Sequence, residues 1–460
     1  MSTEGSAWPS SVRAASNNLH LDLLLDNQLG SGGEGAVFRT RYGGLAVKLC
    51  APDDSSRDRM TELFARLRWL PLDGIPLCRP LEQLAPPHVG YVMELLEDMV
   101  PLRELCDPPQ QDEDAWYLGG GGLRRRLVLL ARCADVLATL HDRGIVYSDV
   151  SPGNVLVSSD LGHDEVRLID ADNLQTESST ATRRLGTPFY TAPELLRGQS
   201  GNTVFSDVYS FAVLAYEVLT MNHPLIGDYV NEGEVELEDD AQRGLVPWID
   251  HSTDDRNRTR FGYPADRVLT RRLRDLFRRT FEEGMTDPWA RPGAGEWAAA
   301  LHAAADRCLV CPCGQSFLAA HPTCPWCRAA RPPALTVTVL EQFPRLTEGP
   351  PPLLPQDDLT LVLQAHRPLL VTNRTAVRHP EDPTVALLRM EWDGGAEVRV
   401  RNCGRSIVRR VPPQGGNGLQ LIPGSAAVEH LRAPWWIHFD TELRPHRILV
   451  LQSIEAPDAR

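Results

Sequence analysis

The chain has almost no lysine. Lys and Arg together number 47 in 460 residues, yet Lys48 is the only lysine and the other 46 cations are arginine. A general bias toward arginine accounts for those 46 and not for the exception. Arginine is a flat, forked donor and lysine a compact point charge on a flexible stem, so they differ most where a phosphate oxygen must be reached in a tight space. Lys48, in GGLAVKLC, is therefore a candidate phosphate ligand. Positive charge is also scarce overall: Asp and Glu number 61 and the net charge is −14. That balance excludes a general nucleic-acid or anionic-membrane binder, which needs a basic face to neutralise phosphates. Arginines do cluster locally, at Arg271, Arg272, Arg274, Arg278 and Arg279. No run of about 18 apolar residues occurs, and MSTEGSAWPSS lacks the basic and apolar regions of a signal peptide. The expectation is a soluble, cytoplasmic protein with no membrane and no nucleic-acid partner.

The ten cysteines are unevenly spread. Cys50, Cys78, Cys106, Cys133 and Cys403 are scattered, whereas Cys308, Cys311, Cys313, Cys324 and Cys327 crowd together. In a reducing compartment such crowding points to metal ligation before disulfides. A length of 460 residues suggests two or three domains. Residues 1–18 are polar and small and read as a flexible leader. Short β-branched runs broken by glycines follow up to Leu49, then a helical pattern through Met60, Leu63, Phe64, Leu67 and Leu70. Helical patterns dominate from Leu123 to Arg307, interrupted between Asp228 and Arg260 by an acidic stretch that reads as a solvated loop. A proline-rich linker is expected at 331–357. Beyond it, alternating strands separated by turn signals such as Asp393-Gly394-Gly395 predict an all-β domain over 358–460, read as an interaction module.

Gly30, Gly32 and Gly35 in LGSGGEGAVF fit G-x-G-x-x-G. A dinucleotide fold requires a helix after the last glycine, but Val37, Phe38 and Arg39 lead into another turn and strand. The pattern is a glycine-rich hairpin over phosphates with Ala46-Val47-Lys48 on the next strand. HDRGIVYSDVSPGNVLV, LIDADN, GTPFYTAPE, SDVYSFAVLAYEVL and ARPGAGEW then follow in order. Together these motifs resemble those of the eukaryotic-type protein kinase family. The resemblance implies an α+β, bilobal protein-kinase fold with a small lobe at 19–97 and a large lobe at 98–307. A small zinc ribbon at 308–330 and the C-terminal all-β domain would follow.

The resemblance also implies roles. The glycine loop and Lys48 would hold the phosphates of ATP, and Asp149 would take the substrate hydroxyl proton. Asn154 and Asp170 would hold Mg²⁺. Glu62, a carboxylate within the helical run after Lys48, would orient the lysine. Met93 and the stretch Glu94 to Leu96 would form the adenine-binding connector, so Glu94 and Leu96 are candidate nucleotide contacts. Arg291 would pair with Glu194, Asp207 opens a buried helix, and Thr187 points to serine/threonine hydroxyls as acceptors.

Several positions depart from the family pattern. Tyr147-Ser148-Asp149 lacks the arginine that receives an activation-segment phosphate, so activity is expected not to depend on phosphorylation of Thr176, Ser178, Ser179, Thr180 or Thr182. Ser151 stands where a lysine touches the γ-phosphate, and Asp170-Ala171-Asp172 replaces D-F-G, making Asp172 available as a further metal ligand. The expected function is ATP-dependent phosphorylation of protein Ser/Thr hydroxyls, the chain's own included. The alternative is a pseudokinase scaffold that binds nucleotide and recruits partners through the ribbon and β-domain.

RCLVCPCGQSFLAAHPTCPWC resembles a zinc ribbon, in which two thiolate knuckles close a tetrahedral Zn²⁺ site. Cys324 and Cys327 form one knuckle. Cys311 and Cys313 are chosen for the other because Gly314 follows, with Cys308 in reserve because Cys308-x-x-Cys311 has the commoner spacing. The order of kinase, ribbon and tail is similar to a bacterial group of kinases in tellurite-resistance-like systems. That likeness implies a von Willebrand-A-type protein and a PP2C-type phosphatase as partners besides the protein substrate.

Overall fold

The structure is a computed structural model that describes residues 8–32, 35–51, 56–177, 185–344, 352–413, 417–440 and 444–453. The chain divides into two compact units: Met1–Pro108 with Leu129–Gly262 and Asp275–Ala298, and Pro109–Val128 with Tyr263–Arg274 and Ala299–Arg460.

The first unit opens with a six-stranded antiparallel sheet. Its strands are β1 (Ser11–Arg13), β2 (His20–Gly32), β3 (Gly35–Thr40), β4 (Leu45–Cys50), β5 (Pro80–Gln83) and β6 (Gly90–Glu94), in the order β1-β2-β3-β4-β6-β5. Alternation decides which face is covered: in β3, Ala36, Phe38 and Thr40 are buried and their neighbours half-buried. Phe38 joins Leu21, Val47, Leu49 and Val92 in one apolar cluster. The stretch read as a flexible leader is ordered from Ser11 to Arg13, because Val12 and Ala14 bury in that same cluster. Helix α1 (Ser56–Leu67) follows β4 and packs Met60 and Leu63 with Tyr91.

The helical part of this unit centres on Val204–Thr220, a helix buried almost all round as a core helix must be. Its N-terminus is closed by a capping box between Thr203 and Ser206. Phe211 meets Trp297 and Tyr216 meets Phe277 edge to face. Two short pairings, Val155–Ser158 with Val166–Leu168 and Ile145–Val146 with Gln175–Thr176, brace the loops 147–154 and 169–174. The acidic stretch 228–260 is not a loop throughout. Asp228–Asn231 and Glu236–Gln242 are helical, and Trp248, Ile249 and the fully bonded Asn257 are buried.

In the second unit, Cys308–Val310 and Ser316–Leu318 form a hairpin. Two further sheets share one core that includes Val337, Leu363, Met390, Val400, Ile437 and Leu451. The expected linker is not one over its first part: Ala334–Gln342 is a long central strand, paired with His446–Ser453 from Leu335↔Ser453 to Gln342↔His446. Its prolines flank the strand without interrupting it, so no ladder donor is lost. Within this unit Gln364 clamps the hairpin, accepting from Val310 N and donating to Val310 O, each at 2.8 Å.

Candidate active site

Lys48 stands on β4 with Val37 opposite on β3 and Tyr91 opposite on β6. Its Nζ lies 2.8 Å from Asp172 Oδ2 and 3.1 Å from Asp170 Oδ1. The two carboxylates outweigh the cost of burial, so the ammonium is held well above the ordinary lysine range and remains charged. Glu62 does not take part. It is exposed on α1 and has no ion pair among the described residues, while Arg66, one turn on, donates from Nη2 to the Asp172 carbonyl at 2.6 Å. The expected Lys48–Glu62 pair is therefore replaced, because the aspartates reach the ammonium and the helix turns a cation toward this corner.

The glycine hairpin pairs Gly30 with Val37 and Gly32 with Gly35; its turn, residues 33–34, lies outside the described residues. Gly35 has a backbone reason to lack a side chain: at φ +148° an added Cβ would meet Leu49 O at 1.9 Å. Around Gly30 there is open space. Glu94 ends β6 exposed and Leu96 is half-buried, and between them buried Leu95 donates its N–H to Gly44 O at 2.9 Å.

Asp149 is gripped on both oxygens. Thr187 Oγ1 donates to Oδ1 at 2.7 Å and Asn154 Nδ2 to Oδ2 at 2.9 Å. Burial raises its carboxyl above the ordinary value, against these two hydrogen bonds, which lower it. Asp170 sits at φ 55°, ψ 54°, in the left-handed region that aspartate tolerates better than most residues. Beneath the loop, buried Asp207 accepts from Tyr147 N at 2.7 Å and Ser148 N at 2.8 Å, and His141 Nε2 lies 3.0 Å from it. Ser148, in place of the missing arginine, is buried and accepts from Gln175 Nε2 at 3.0 Å. Ser151 is buried as well. In the same unit, Arg291 grips Glu194 with two bonds of 2.7 Å.

In the second unit the ligand atoms of Cys311, Cys313, Cys324 and Cys327 all lie within 4.8 Å of one another, and none of the four is in a disulfide. Cys308 is outside this group, donating instead to Ala304 O. The Ala329 N–H aimed at Cys327 lowers its thiol, while burial raises those of Cys311 and Cys313.

Residues 126–298 match the family model for the protein kinase domain. Three relatives are similar to this chain. Serine/threonine-protein kinase mos of Gallus gallus is 28% identical over 45% of this chain and 64% of its own length. Serine/threonine-protein kinase pkn2 of Myxococcus xanthus is 31% identical over 43% of this chain and 24% of its own length. The DNA damage-responsive serine/threonine-protein kinase RqkA of Deinococcus radiodurans is 31% identical over 44% and 30%. The chain carries a protein kinase domain of the eukaryotic type. It spans less than two thirds of the length of these kinase relatives. Among the described residues no helix of the kinase domain or of the rest is long and apolar enough to cross a membrane. Sequence reasoning about this kinase domain missed Tyr91 and Arg66. Tyr91 left one signal, a hydroxyl in a strand whose only other polar side chain is Glu94 at its end; Arg66 left none among so many arginines.

Proposed function

We propose that the chain is an ATP- and Mg²⁺-dependent protein kinase that transfers the γ-phosphate to Ser/Thr hydroxyls of proteins, itself included. The observation that carries the reading is the grip on Asp149 by Asn154 and Thr187, which fixes one carboxylate at the mouth of a braced loop. A base held on both oxygens can align a substrate hydroxyl and accept its proton, and phosphoryl transfer asks for little more than such positioning and charge neutralisation. Lys48 and the backbone of Gly30, Gly32 and Gly35 would bind the nucleotide phosphates, and the backbone at Glu94 and Leu96 the adenine. Asn154 and Asp170 offer hard oxygen ligands that fit Mg²⁺, which would neutralise charge on the phosphates. Thr187, bonded to the base itself, supports hydroxyl acceptors of the Ser/Thr type.

Cys311, Cys313, Cys324 and Cys327 would hold a structural Zn²⁺. The soft four-thiol set and its spacing suit that ion. A protein purified without chelators that contains no zinc by elemental analysis, and shows no thiolate-to-metal band after Co²⁺ addition, would remove this site. A von Willebrand-A-type protein and a PP2C-type phosphatase are partners proposed on resemblance of domain order alone.

Transfer of labelled γ-phosphate to the chain or to a generic protein, wild type against Asp149→Ala, tests the kinase reading. Signal in the wild type that vanishes in the variant supports it, and equal signal sinks it. The rival reading, a nucleotide-binding scaffold, draws on the engagement of Lys48 by two carboxylates and on buried Ser151. It requires that the wild type bind ATP and transfer nothing.

A further inference from the structure

A phosphate-directed lysine needs a carboxylate that orients it and leaves it charged. Of its two partners here, Asp170 is the poorer candidate for that task. Its side chain is 38% exposed, and it is needed as a metal ligand in the function proposed above, on which this inference rests. Asp172 is 16% exposed and fixed from three directions. Lys48 Nζ holds Oδ2 at 2.8 Å; the Tyr91 hydroxyl holds Oδ1 at 2.9 Å and lies 3.2 Å from Oδ2; Arg66 holds the backbone carbonyl at 2.6 Å.

Tyr91 is the cross-strand partner of Lys48, so ring and ammonium share one face, with Nζ 5.7 Å from the ring centroid. The Tyr91 hydroxyl, within hydrogen-bond distance of both carboxylate oxygens, is a donor to Asp172. The Asp170-Ala171-Asp172 sequence and the exposure of Glu62 then have a single explanation. We propose that Asp172, clamped by Tyr91 and Arg66, is the positioning residue for Lys48, taking the place of a carboxylate from helix α1. Asp170 is thereby released to bind metal without stripping the lysine of its partner.

The test uses the full chain and exploits its single lysine. Trinitrobenzenesulfonate modifies only neutral amines, and peptide mapping separates Lys48 from the terminal amine. Asp172→Asn should raise the Lys48 modification rate at pH 9 by about tenfold, the equivalent of one pKa unit. It should also cut γ-phosphate transfer by about 10²-fold, mainly in kcat, at an unchanged melting temperature. Asp172→Glu should reverse part of both changes, Tyr91→Phe should fall between Asn and wild type, and Glu62→Gln should match wild type. The proposal is overturned if Glu62→Gln reproduces the losses while Asp172→Asn does not, or if Asp172→Asn transfers phosphate faster than wild type. A wild type that transfers nothing while Lys48 reactivity still answers to Asp172→Asn removes the kinase reading and leaves the pairing. A wild type that transfers normally with no response to Asp172→Asn does the reverse.

Discussion

Arg291 and Lys48 each join a carboxylate far away in sequence, and they do it in opposite ways. Arg291 is fully buried, and four of its five N–H donors are engaged: two on Glu194, one from Nη1 to Phe205 O and one from Nε to Gly284 O, the last two at 2.9 Å, with Tyr209 beneath it. Lys48 is a point charge between two aspartates, one of them open to solvent. A planar fork that fills its donors locks one geometry, whereas an ammonium among several oxygens can exchange one for another. The first arrangement suits a brace under a segment; the second suits a group that must accept incoming phosphate oxygens. In a chain that uses arginine everywhere else, the lone lysine falls where the proposed function requires exchange.

If that contrast is sound, breaking the brace should cost stability and altering the lysine should cost turnover. The largest effect is expected from Arg291→Ala, which leaves Glu194 charged and buried without its partner. Removing one member of a buried pair costs about 3–5 kcal/mol, read as a lower urea midpoint with the slope unchanged. Arg291→Lys keeps the charge, loses the fork and should fall between. A urea midpoint for Arg291→Ala equal to wild type would end the claim that this pair is a brace.

Lys48→Arg comes next. The wider, flatter head cannot sit between Asp170 and Asp172 as Nζ does, so γ-phosphate transfer should drop about 10²-fold, with the melting temperature close to wild type. Near wild-type turnover would mean that the solitary lysine is an accident of composition.

A smaller effect concerns pH. As the proposed base, Asp149 would have to be deprotonated to accept a proton, and burial raises its carboxyl above 3.8. The acid limb of kcat/KM should therefore lie above the ordinary aspartate range. Thr187→Val removes the stronger of the two side-chain hydrogen bonds that lower it, so the limb should move to still higher pH. A limb that shifts downward, or not at all, would remove Thr187 from the grip on the base.

Legibility in the sequence follows the same division. Asp149, Asn154, Asp170, Glu194 and Arg291 are readable because each sits in a short local motif whose spacing is set by one loop or one helix end. The four thiols are readable for the same reason, and the structure brings together Cys311, Cys313, Cys324 and Cys327 while leaving Cys308 on Ala304 O. The partner of Lys48 is not readable that way. It depends on which face α1 presents, and a helix carrying Glu62 and Arg66 one turn apart offers either sign until tertiary packing chooses. The strand Ala334–Gln342 was hidden by proline composition, since content over a window does not reveal that the prolines stand outside the ladder.

The smallest effect is an expected absence of one. Where a phosphate on the activation segment would need a cation at position 148, Ser148 is buried, with its hydroxyl on Gln175 and its carbonyl on Asn202 Nδ2 at 3.2 Å. Of the candidate acceptors, Thr176 is exposed and pairs with Ile145, and Ser178, Ser179, Thr180 and Thr182 lie outside the described residues. A new phosphate stabilises such a segment only by finding arginine-type donors. Alanine at all five positions should accordingly leave transfer to an external substrate at the wild-type rate, with loss of autophosphorylation limited to those sites. Abolished transfer in a folded five-alanine variant would show that another cation does the work of the missing arginine, and the open, exchangeable character assigned to the Lys48 end of the site would have to extend to the activation segment as well.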